Sequence, residues 1–98
     1  MIEYLYNAIR VRAGGEITIG ANITDNEGNL LREGCNLTIF APDKKEVLFS
    51  LSGVYNEETQ EWGFIIPAEK SRGLDGRYWY CISYFNTPLC FKEPIYFV

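Results

Sequence analysis

The side chains available for chemistry are few. The chain contains no histidine, which removes Ser-His-Asp and Cys-His nucleophiles and most catalytic zinc sites together. Its three cysteines, Cys35, Cys81 and Cys90, lack the CxxC spacing of a metal site. Cys35 reads as a small core residue. Cys81 and Cys90 flank a turn at Asn86, where a cross-strand disulfide would fit, but a reducing cytosol favours two thiols. Carboxylates gather in turns, Asp25 with Glu27 and Glu57 with Glu58. The run Asp25-Asn26-Glu27-Gly28-Asn29 lacks the spacing and late bidentate Glu of an EF-hand. Asn, Asp and Gly are what a tight turn requires anyway. No glycine-rich loop precedes a helix, so no phosphate cradle is expected. The expectation is a non-enzymatic protein with no cofactor and no metal.

What remains is surface. Ninety-eight residues fit one domain, 1–98, and the aromatic share of 15% is high for that size. Nine Lys and Arg against 13 Asp and Glu give a net charge of −4, and the densest cationic pair is Lys44-Lys45 in a turn. Without a basic stripe, nucleic acid is not an expected partner. No apolar run reaches the ~18 residues of a membrane span, and Met1 to Tyr6 lacks the basic and apolar regions of a signal peptide. The sequons Asn22-Ile23-Thr24 and Asn36-Leu37-Thr38 read as chance matches in such a chain. Trp79, with Phe40, Phe85 and Phe91 as neighbours, is a candidate apolar contact surface. Such patches mark protein contacts or carbohydrate platforms.

The elements that would position these rings are strands. Turn signals recur at Gly14-Gly15, 25–28, 42–45, 55–58, 73–76 and 86–88, a spacing that predicts a sandwich or barrel. Strands are expected over 8–12, 16–24, 35–41, 46–52, 60–66, 77–84 and 89–98, with one helical turn at 68–72. Alternation places Ile17, Ile19, Ala21 and Ile23 inward, then Cys35, Leu37, Ile39 and Ala41, Val47, Phe49 and Leu51, and Trp62, Phe64 and Ile66. Along the clearest strand, Tyr78, Tyr80, Ile82 and Tyr84 point one way while Arg77, Trp79, Cys81 and Ser83 point the other. Pro94 cannot donate to a ladder, which predicts an edge strand or a bulge there.

Ile2, Tyr4 and Tyr6 share a parity that Ile9 and Val11 do not, with the switch at Asn7-Ala8. Two readings of residues 1–7 follow. One is a kinked first strand that crosses between sheets. The other is an apolar arm laid on a neighbouring subunit by strand addition.

Ala13-Gly14-Gly15-Glu16, the turn Asp25-Asn26-Glu27-Gly28-Asn29-Leu30-Leu31, the strand from Cys35 to Phe40 and the late strand "Gly-x-Tyr-x-Tyr-x-Ile" from Gly76 to Ile82 follow one another in a familiar order. Over about residues 13 to 98 that order resembles the immunoglobulin-like domains of tailed-phage virion proteins, including the N-terminal domain of baseplate upper proteins. It is also similar to carboxypeptidase regulatory-like and macroglobulin-type modules. The phage resemblance implies an all-β, immunoglobulin-like antiparallel sandwich of about seven strands that packs against other virion proteins, with self-association as a further expectation. A chain that stops at Val98 favours a capsid decoration, head-fibre or tail-adaptor role over receptor binding. The expected location is the virion. Ile2, Tyr4, Tyr6, Trp79, Phe40, Phe85 and Phe91 are the expected interface residues, and a carbohydrate- or surface-binding module built on the exposed aromatics is the alternative.

Overall fold

The computed structural model describes residues 9–24, 27–85, 87–88 and 92–98. The expected arm residues Ile2, Tyr4 and Tyr6, together with Cys90 and Phe91, lie outside them.

Alternating apolar residues build two sheets that face each other across one core. The strands are β1 (Ile9–Val11), β2 (Ile17–Ala21), β3 (Cys35–Phe40), β4 (Val47–Ser52), β5 (Val54–Asn56), β6 (Glu61–Ile66), β7 (Gly76–Tyr84), β8 (Thr87–Pro88) and β9 (Glu93–Phe97), with a single helical turn, α1 (Ala68–Ser71). The larger sheet runs β1, β9, β7, β3, β4, with β8 beside β7; the smaller runs β2, β6, β5. Two facing, mostly antiparallel sheets make this a β-sandwich. All pairings are antiparallel except β1 with β9, which is parallel.

Ile17, Ile19, Ile23, Cys35, Leu37, Ile39, Trp62, Phe64, Ile66 and Tyr80 are buried as their alternation predicts, and Ile95 and Phe97 complete the core from β9. Tyr78, Ile82 and Tyr84 are half-buried against it. The indole N–H of Trp62 donates to the Leu31 carbonyl at 2.7 Å, so this large ring is buried without a lost hydrogen bond. Gly53 makes the crossing from β4 to β5. A Cβ there would stand 2.6 Å from the Phe64 ring and 2.7 Å from that of Trp62, so only glycine lets the backbone pass this close to the core.

Ser71 is fully buried, and its hydroxyl accepts from the Gly14 N–H (3.1 Å) and donates to the Gly15 carbonyl (2.8 Å). One side chain thereby ties α1 to the β1–β2 turn.

Four expectations are corrected. Val47 faces solvent rather than the core, because the β3–β4 register slips between Ile39 and Phe40: Ile39 opposes Phe49, but Phe40 opposes Val47. The extra residue, Leu48, is a bulge that reverses the parity of what precedes it. Tyr55 and Asn56 are strand, not turn, because Tyr55 packs its ring 5.6 Å from Trp62. Cys81, although on the outward parity, is only 5% exposed, its Sγ 3.6 Å from the Ile82 carbonyl. Finally, β9 is not an edge strand: β7 flanks it from Glu93 onward and β1 from Ile95. Pro94 opposes Trp79 of β7, one residue before the described pairing with β1 begins at Ile95. No described helix is long and apolar enough to cross a membrane.

Candidate functional site: the outer face of the larger sheet

The face of the larger sheet that points away from the core is organised in rows set by register. Val47 opposes Phe40, Phe40 opposes Trp79, and Trp79 opposes Pro94, so four apolar side chains cross four neighbouring strands. Directly opposed side chains lie within contact reach. The bulge at Leu48 is what delivers Val47 to this row. On one side lies a row of small residues, Ser50, Thr38 and Cys81, where the Thr38 and Ser50 hydroxyls pair at 3.0 Å. On the other lies Arg77, Tyr96 and Arg10.

Cations crown the apolar row. Lys44 Nζ stands 4.2 Å from the centroid of Trp79 and the Arg77 guanidinium 5.1 Å from it; Lys92 Nζ stands 4.2 Å from the centroid of Phe40. At these separations the ring quadrupole attracts the cation. The β3–β4 turn holds Lys44 there. Lys44 takes a left-handed φ of 69°, its N–H donates to the Ala41 carbonyl at 2.8 Å, and its own carbonyl accepts from Lys92 Nζ at 2.8 Å. The Trp79 indole N–H reaches the Pro42 carbonyl at 3.3 Å. Asp43 Oδ1 closes the turn by accepting the N–H groups of Lys45 (2.8 Å) and Glu46 (3.1 Å). Those two hydrogen bonds, with a smaller pull from the Lys92 charge, hold the Asp43 carboxyl below its ordinary range.

Of the residues expected at an interface, Phe40 and Trp79 come together directly and are both half-buried. Phe85 does not join them. It lies six residues along the chain from Trp79, about 20 Å at strand rise, and its ring caps Gly34, whose Cβ position is 2.6 Å from Phe85 Cζ. Sequence reasoning set Arg77 on the Trp79 face without giving it a role, and missed Val47, Pro94, Lys44, Lys92, Tyr96 and Arg10. The alternation of β9 carried a signal for Pro94 and Tyr96, whereas the cations are far apart in sequence and only the topology gathers them. Among the described residues, no group of three or more Cys, Asp or Glu side chains is placed to hold a metal ion.

No protein-family model matches the chain, and no curated protein or solved structure does either.

Proposed function

We propose that the chain is a non-enzymatic structural module of a tailed-phage particle that docks on another virion protein through the outer face of its larger sheet. The observation that carries the docking face is the row Val47, Phe40, Trp79 and Pro94 under Lys44, Lys92 and Arg77. Aromatic rings and arginine are the side chains that protein interfaces select. The phage setting rests on the order of turns and strands described above. Carbohydrate binding ranks behind it: stacking on a sugar needs an open ring face, and ammonium groups already stand over Trp79 and Phe40.

The test is incorporation. Particles assembled with the Lys44→Glu/Lys92→Glu chain and purified to constant composition should contain far fewer copies than particles assembled with the wild-type chain, measured by quantitative mass spectrometry. Equal copy numbers would overturn the docking face. Purified particles whose protein composition does not change when the chain is absent would overturn the virion role.

A further inference from the structure

The opposite side of the sandwich has the complementary character. On the smaller sheet, Trp62, Phe64 and Ile66 point inward, so Glu61, Gly63 and Ile65 point out. Gly63 is opposed by Gly20 on one side and by Val54 on the other. The register through this region is regular, and neither glycine has a left-handed φ. A Cβ at either position would meet nothing nearer than a backbone oxygen at 3.9 Å. The backbone therefore has no conformational or packing need for glycine at these two facing positions. Glycine inside a strand without a bulge marks a place where another chain or ligand approaches closely.

The two glycines floor a shallow notch. Its walls are Val54, 68% exposed, and Ile65, 47% exposed. Its rim at the β5–β6 end is acidic: Glu61 opposes Asn56, and Glu57 and Glu58 follow in the turn that Asn56 Oδ1 caps through the Glu58 N–H at 2.9 Å. The strands of this sheet contain no Lys or Arg. The larger sheet presents an apolar row crowned by Lys44, Lys92 and Arg77; its paired outer rows hold no carboxylate, and the one described beside the crown is Asp43, whose Oδ1 is engaged by the N–H groups of Lys45 and Glu46.

We infer that the notch over Gly20 and Gly63 receives the Trp79 face of a second copy of this chain, so that copies stack head to tail. Charge complementarity selects the occupant: the acidic rim of one copy meets Lys44, Lys92 and Arg77 of the next, while Val54 and Ile65 meet Val47 and Phe40. The broad side of the domain, 37 by 28 Å, is large enough for the ~800 Å² that each partner buries in a standard interface. Because the two surfaces lie on opposite sides of the sandwich, the contact is heterologous. It leaves one free basic face and one free acidic notch at the ends of every stack. The inference rests on the docking face proposed above and adds its partner; the terminal basic face remains for the particle.

Sedimentation velocity of the purified chain tests it. The weight-average mass should rise between micromolar and millimolar protein at low salt. It should fall back toward the monomer near 1 M salt, where the Debye length is ~3 Å. The Lys44→Glu/Lys92→Glu and Val54→Lys/Ile65→Lys chains should each be monomeric. Mixed, they should form a pair that stops at two copies, since each retains the surface the other lacks. Gly63→Thr should melt no lower than wild type, because its side chain has open space, and yet fail to associate; this separates the interface from folding. A wild-type chain that stays monomeric throughout, or mixed variants that do not pair, would overturn the stacking. Loss of particle incorporation in the Lys44→Glu/Lys92→Glu chain, with wild type monomeric, would leave the docking face standing and the stacking refuted.

Discussion

Phe64 and Val47 show what a single position decides. Phe64 is fully buried beneath Gly53, and its ring stacks 6.2 Å from Trp62. Truncating it to Ala should cost about 3–5 kcal/mol in chemical denaturation, a large share of the stability of a domain this size. Val47→Ser should cost no more than ~0.5 kcal/mol, because a side chain 56% exposed has little burial to lose. A large loss at Val47 would place it back in the core and remove the bulge. Ser71→Ala should cost about 1–3 kcal/mol, since the Gly14 N–H and Gly15 carbonyl would lose their buried partner. Cys35 is 2% exposed and burial pushes its thiol up. It should therefore resist alkylation at neutral pH until the chain is unfolded, as peptide mapping of the labelled protein would show.

At the scale of elements, alternation alone located most of the sandwich. Strands β3, β6 and β7 fall within one residue of their expected bounds and β2 ends three residues early; all four were found because their apolar residues keep a strict period of two and each is bounded by Gly, Pro or Asn. The failures share a physical cause. The bulge at Leu48 has no mark in composition, since Val47, Leu48 and Phe49 are all apolar and either parity is chemically acceptable. Strand β5 was hidden because three residues are too few to display a period, and it exists through its pairing with β6. The outer face of the larger sheet was half legible. The parity of Trp79 and Phe40 set them on one face, but the cations above them come from the β3–β4 turn, from β7 and from the approach to β9, and no local pattern joins those. The turn that carries Lys44 also has a pH dependence. The folded pKa of Asp43 lies below its unfolded value, so its contribution is present above the ordinary aspartate pKa of about 4 and is lost as the pH falls through the lowered folded value. Trp79 fluorescence should report the turn loosening in that acid range, and Asp43→Asn, which keeps an acceptor oxygen, should abolish the transition.

As a whole molecule the domain is polarised in a way that its net charge of −4 conceals. One sheet offers aromatic rings under lysine and arginine, the other a glycine-floored notch with a glutamate rim. If the proposed docking holds, Phe40, Trp79 and Tyr96 form the face that becomes covered on assembly. Hydroxyl-radical footprinting measures it directly, because these rings oxidise in proportion to their exposure. Phe85, 58% exposed and at the far end of β7, is the internal reference. Comparing the isolated chain with the purified particle, oxidation of Phe40, Trp79 and Tyr96 should fall several-fold while that of Phe85 holds steady. Unchanged oxidation of those three rings, or protection confined to Phe85, would contradict the account.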